Sequence, residues 1–180
     1  LFLPLMANTQ QSYNPKYWFE GGINQRSKSD DASLMAKVDS VAAKGWHRVM
    51  FWGAENNGTS MTYYFKSQFL EKQDWAVFGG DRLSPVVRAA HKKGLKVMMN
   101  LEGVNPFSWP ENKWTEENIR AVAADIAATG VDAVFEECFE VKPGVFISLA
   151  RELKSRGIEY ISGTDPMLLR EASFAALWPE

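Results

Sequence analysis

Carboxylates are the groups in this chain best placed to do chemistry. The segment VFEECFE holds Glu136, Glu137 and Glu140 within five positions, and a further acid, Glu102, closes the run KVMMNLE. Carboxylates brought close together repel one another, which raises at least one pKa toward the range where the acid donates a proton near neutrality. An ionised neighbour then serves as base or nucleophile. Glu137 is the leading candidate, with Glu136 and Glu102 as its partners. Consecutive strand residues face opposite ways, so Glu136 and Glu137 share a face only across a bulge. If Ala133 and Phe135 pack on helices, Glu137 points with them and Glu136 faces the sheet centre. Asn100 lies two positions before Glu102 and shares its face. Asp165, in GTDP, fits a helix N-cap and also sits just beyond a strand, where it can serve the same rim.

Flat side chains surround these acids. The chain has 7 Trp and 13% aromatic residues. Tyr13, Tyr17, Trp18, Phe19, Trp75, Trp109 and Trp114 fall in expected loops. Aromatic faces in loops above a sheet make stacking platforms for sugar rings. Trp18, Trp109 and Trp52 are the expected platforms, with Asn100 and Asp165 as polar contacts to substrate.

Four junctions place these groups. AAKGWHRVMFW, HKKGLKVMMNL, AATGVDAVFEE and KSRGIEYISG each run a helix into a glycine and then into an apolar strand. A left-handed glycine ends a helix without a Cβ clash. Repeated helix-to-strand units mark a parallel sheet, whose functional groups gather at the carboxyl ends of the strands. The expected strands are Phe2–Met6, His47–Trp52, Lys96–Glu102, Ala133–Phe139 and Glu159–Gly163. Expected helices run over 31–44, from a Ser84-Pro85 start to Lys93, from a Thr115 cap through Ala127, over 143–156, and from 164 toward Trp178. Residues 8–30 and 53–80 read as long loops.

Two architectures suit this alternation. One is a TIM (β/α)8 barrel or the first part of one, in a single catalytic-type domain over 1–180 that is incomplete at its C-terminus. The alternative is an open, doubly wound sheet. No GxGxxG or GxxxxGK[ST] loop follows the first strand, where a nucleotide-binding sheet carries it. That favours the barrel.

Composition narrows the function. With 180 residues, 46% hydrophobic, a formal charge of -2 and no basic block, the chain does not read as a nucleic-acid binder. No apolar stretch is long enough to span a bilayer. A single cysteine, Cys138, and two histidines, His47 and His91, do not predict structural zinc or a histidine-rich metal site, and no cofactor is expected. His47 reads as structural and His91 as a surface contact. LFLPLMA reads as a first strand or as the tail of a secretory segment. Secretion or a periplasmic location is expected on that ground, and Asn57-Gly58-Thr59 is then a glycosylation acceptor.

Two segments resemble known families. GLKVMMNLEG is similar to the third-strand segment of retaining α-galactosidase-type glycoside hydrolases, and GVDAVFEE to their fourth-strand segment. The resemblance implies a catalytic carboxylate at Glu137, where those enzymes carry Asp. The adjacent pair Glu136–Glu137 also resembles β-hexosaminidase-like barrels, in which the first acid orients the substrate acetamide and the second is the general acid. Together these imply a glycoside hydrolase acting on an oligo- or polysaccharide. Two other readings use the same residues: a non-catalytic carbohydrate-binding barrel, and a metal-assisted lyase or isomerase with Glu102, Glu137 and Asp165 as oxygen ligands.

Overall fold

A computed structural model of the chain describes residues 22–23, 30–56, 60–101, 115–136, 143–162 and 174–175. The strands are β1 (Gly22–Ile23), β2 (Arg48–Trp52), β3 (Ala54–Asn56), β4 (Met61–Tyr63), β5 (Ala76–Phe78), β6 (Lys96–Asn100), β7 (Ala133–Glu136), β8 (Glu159–Ser162) and β9 (Phe174–Ala175). The helices are α1 (Asp31–Ala43), α2 (Leu83–Lys92), α3 (Glu116–Ala128) and α4 (Pro143–Ser155), with a 3-10 turn at Leu70–Lys72.

Local chemistry sets the helix ends. The Asp30 side chain accepts from the Ser33 N–H at 2.8 Å to open α1, and Thr115 Oγ1 accepts from the Asn118 N–H at 3.2 Å to open α3. At the other ends, Gly45, Gly94, Gly130 and Gly157 all take positive φ. In three of the four junctions the next residue also reaches back, Trp46 N–H to the Val41 carbonyl, Leu95 to Ala90 and Ile158 to Leu153. These paired bonds satisfy carbonyls that the helix leaves open. Helix α2 begins earlier than its Ser84-Pro85 signal. Asp81 Oδ1 accepts from the Ser84 N–H at 3.1 Å, and the Tyr64 carbonyl accepts from the Arg82 and Leu83 N–H groups.

Six strands form one sheet in the order β1-β2-β6-β7-β8-β9, and every pairing in it is parallel. The order never reverses. Val49 and Phe51, Val97 and Met99, Val134 and Tyr160 share one buried cluster with side chains of all four helices, among them Leu34, Val87, Ile126 and Leu153. On the opposite face Met50, Met98, Ala133, Phe135 and Ile161 form a second cluster made of strand residues alone. We call this the axial face. A doubly wound sheet reverses its strand order and carries helices on both faces. Sequential strands with every described helix on one side are instead an arc of a (β/α) barrel.

Curvature is visible at the amino end. The Arg48 guanidinium reaches Glu159 at 2.8 Å, although β6 and β7 separate their strands. Three strand spacings amount to roughly 14 Å on a flat sheet. Arg48 shares strand parity with axial Met50, and Glu159 with axial Ile161, so the pair closes across the concave face.

The expected first strand, Phe2–Met6, lies outside the described residues. Several other expectations are corrected. The partner of β2 is Gly22–Ile23, within the stretch read as a loop. The 53–80 loop contains a sheet of its own, β3 antiparallel to β4 and β4 parallel to β5. Phe174–Ala175, inside the expected last helix, pairs with β8 as a strand. Trp75, one of the aromatics in the expected loops, is 7% exposed within the helix-side core and offers no free face for stacking.

The small sheet is fastened in two ways. Met61, Tyr63, Phe65 and Leu70 join the helix-side core. Ser67 Oγ donates to Asp125 Oδ2 of α3 at 2.5 Å and accepts from the Leu70 N–H at 3.0 Å, while the Phe69 N–H donates to the same carboxylate at 3.2 Å.

Candidate functional site at the carboxyl end of the sheet

Register builds the floor of the candidate site. Trp52 pairs with Asn100, Asn100 with Phe135, and Phe135 with Ile161, giving one row across four strands. Parallel register turns a row to one face, here the axial face, because Phe135 and Ile161 belong to that cluster and half-buried Trp52 packs against it. Asn100 is 0% exposed amid this apolar row. A buried amide costs free energy unless it makes hydrogen bonds, so Asn100 is a specific polar position within a hydrophobic row. β2 and β6 end on this row, and β7 and β8 one residue beyond it. The Gly53 N–H bonds the Asn100 carbonyl and the Leu101 N–H bonds the Phe135 carbonyl, each at 3.0 Å, one residue beyond the ladder.

Of the expected site residues, the structure brings Asn100 and Trp52 together as register partners. The backbone of Glu136 ends β7. The condition for an axial Glu136 was that Ala133 and Phe135 pack on the helices. Both instead lie on the axial face, and Val134 packs on the helices. The side chain of Glu136 and the whole of Glu137, Glu102, Trp18, Trp109 and Asp165 lie outside the described residues, as do Tyr13, Tyr17, Phe19, Trp114, Cys138 and Glu140.

One acid escaped the sequence reading. Glu55, three residues past Trp52, is only 6% exposed. Tyr64 Oη donates to its Oε2 at 3.2 Å. Burial, then the nearby Glu55 carboxylate and the hydrogen bond to it, push the Tyr64 phenol up to about 12, against a smaller opposing pull from Arg82. Tyr64 therefore remains a donor at every physiological pH. The alternation of Met61, Tyr63 and Phe65 was the available signal that this stretch is a strand beside Glu55.

The amino end is arranged differently. Asp132, just before β7, accepts from Lys96 Nζ at 2.7 Å and from the Val97 N–H at 2.8 Å, with His91 Nε2 at 2.8 Å. Burial alone would raise the Asp132 pKa. The hydrogen bonds from Lys96, the Val97 N–H and His91, with the Lys96 charge, more than offset this and hold it below 3.8. This is the stability end of a barrel, and His91 is spent there as the surface contact its sequence position implied.

No protein-family profile matches the chain, and no curated protein sequence matches it. Solved structures do. The chain is similar to the GH20 exo-β-N-acetylglucosaminidase from Vibrio harveyi, solved with N-acetylglucosamine, at a TM-score of 0.59 and 10% identity over 85% of this chain and 37% of that one. The fold is of the TIM-barrel type. A sugar phosphate isomerase/epimerase from Parabacteroides distasonis matches at a TM-score of 0.50 and 11% identity, over 79% of this chain and 50% of that one. An Anoxybacillus α-amylase matches at 0.45 and 14%, over 76% and 40%. The chain thus spans 37% to 50% of the length of these structures. Among the described residues, no helix is long and apolar enough to cross a membrane, and no group of three or more metal-ligating side chains is gathered.

Proposed function

We propose that this chain carries the active end of a glycoside hydrolase acting on an oligo- or polysaccharide. The observation that carries the reading is the axial row Trp52–Asn100–Phe135, with its fully buried amide at the carboxyl end of a one-sided parallel sheet. In the sequence a carboxylate follows two members of that row by two positions, Glu102 after Asn100 and Glu137 after Phe135. Glu137 protonates the glycosidic oxygen or attacks the anomeric carbon. Glu102 or Glu136 supplies the second carboxylate, about 5–5.5 Å away for retention or about 6.5–9.5 Å for inversion. In the β-hexosaminidase-like version, Glu136 orients an acetamide and Glu137 is the acid. Trp52, Trp18 and Trp109 stack on sugar rings, Asn100 and Asp165 bind hydroxyls, and the protein meets its carbohydrate outside the cytoplasm. Likeness of fold to glycoside hydrolases supports the class and leaves the sugar and linkage to experiment.

The fold likeness to a sugar phosphate isomerase/epimerase supports a second reading, an isomerase, for which the sequence offers Glu102, Glu137 and Asp165 as oxygen ligands to an assisting metal. A panel of 4-nitrophenyl α- and β-glycosides, including the N-acetylglucosaminide, separates the two. Nitrophenol release unaffected by EDTA is the expected result. No release from any glycoside, or activity that EDTA abolishes and added Mg2+ restores, contradicts the hydrolase.

A further inference from the structure

We propose that Glu55 is a substrate-binding residue of the same carboxyl-end site, its carboxylate oriented by Tyr64 to accept hydrogen bonds from sugar hydroxyls at the rim above β2. The inference rests on the glycoside reading and extends it to an acid that neither the strand-end motifs nor the resemblance singled out.

Position comes first. The Gly53 N–H is still bonded to the Asn100 carbonyl, so the chain leaves β2 directly beside the buried amide. Three residues of chain span at most about 11 Å, which keeps the Glu55 backbone within that distance of Trp52. Direction comes next. Ala54 packs into the helix-side core, and its strand neighbour Glu55 belongs to the other face of the small sheet. There Glu55 pairs with Thr62, and Thr62 with Val77. Exposure along this row rises from 6% at Glu55 to 50% at Val77. The acid therefore occupies the covered end of an otherwise solvent-facing row, next to the strand end that carries Trp52.

A buried carboxylate is costly. The small sheet has fastenings away from Glu55, in the Ser67–Asp125 bond, the Tyr64 carbonyl at the start of α2, and Met61, Tyr63 and Phe65 in the core. The hydroxyl of Tyr64 holds the carboxylate in one orientation. A carboxylate so fixed accepts from neighbouring hydroxyls, the donor pattern that a sugar ring presents.

The test measures KM, kcat and thermal midpoint for wild type, Glu55→Gln and Tyr64→Phe on whichever 4-nitrophenyl glycoside the wild type hydrolyses best. Losing a charged acceptor to a bound hydroxyl raises KM roughly tenfold or more in Glu55→Gln. We expect kcat to stay near wild type, and Tyr64→Phe to raise KM by less, because it removes only the orienting hydroxyl. Wild-type KM in a folded Glu55→Gln overturns the proposal. So does a lowered thermal midpoint with KM unchanged, which is the mark of a purely structural acid. If Glu55→Gln does not fold, unchanged KM in Tyr64→Phe overturns it. A wild type inactive on every glycoside sinks the hydrolase reading itself and this inference with it.

Discussion

At the amino end of the sheet Asp132 is bonded to Lys96 and the Val97 N–H beside His91, and Arg48 meets Glu159 across the concave face. At the carboxyl end, among the described residues, Asn100 and Glu55 are buried polar side chains set beside Trp52, Phe135 and Tyr64. The first group sits at strand entries with its charges matched, and several of its members are open to water: the Lys96, Glu159 and His91 side chains are 64%, 52% and 42% exposed. Such pairs fasten the ends of elements and contribute modestly. The second group is buried in apolar or aromatic company, where polarity costs free energy. On the proposed reading, one end of the barrel arc holds the fold together and the other carries the chemistry.

The comparison can be broken by substitution. The largest effect belongs to Glu137→Gln, which should lower kcat/KM roughly 100- to 10,000-fold, the usual range for a general acid, and leave the thermal midpoint near wild type. Gly53→Ala should damage both properties, because Gly53 touches both the helix-side core and the candidate site. A Cβ there lies 2.3 Å from the Met99 side chain in the helix-side core, and overpacking of that kind costs about 1–3 kcal/mol. Activity should fall with it, since the Gly53 N–H is bonded to the Asn100 carbonyl. Asp132→Asn should cost about 1–3 kcal/mol in urea unfolding and leave kcat/KM of the folded protein unchanged.

The smallest effect is one of pH. The folded Asp132 carboxyl titrates below its unfolded value of 3.8. Its contribution to stability is therefore complete above 3.8 and disappears as pH falls through the lower folded value. Urea midpoints of wild type and Asp132→Asn should converge only in that acid range. Convergence already at neutral pH would show that Asp132 is not held as its hydrogen bonds imply.

What the sequence made legible was local. Thr115 capped α3, the junction glycines ended their helices, and the alternation of Val97 and Met99 with Asn100 assigned the faces of β6. The faces of β7 could not be assigned, because Ala133, Val134 and Phe135 are all apolar and all buried. A strand buried on both sides carries no period-two contrast. The last strand was hidden for another reason. Phe174–Ala175 lies in a run, MLLREASFAALW, whose local preference is helical, and pairing with β8 overrides it. Glu55 was missed because it stands in AENN, a polar run beside a glycine that reads as a turn. Only pairing of Glu55 with Thr62 across the small sheet turns that run into a strand with a buried acid.

The most direct test of the division between the two ends is a crossed pair of measurements, kcat/KM on the best 4-nitrophenyl glycoside and the thermal midpoint, for Glu137→Gln and Asp132→Asn side by side. The account predicts lost turnover at wild-type stability in the first variant and lost stability at wild-type turnover in the second. Equal turnover in wild type and Glu137→Gln would contradict it, as would an Asp132→Asn protein that melts with the wild type yet no longer turns over.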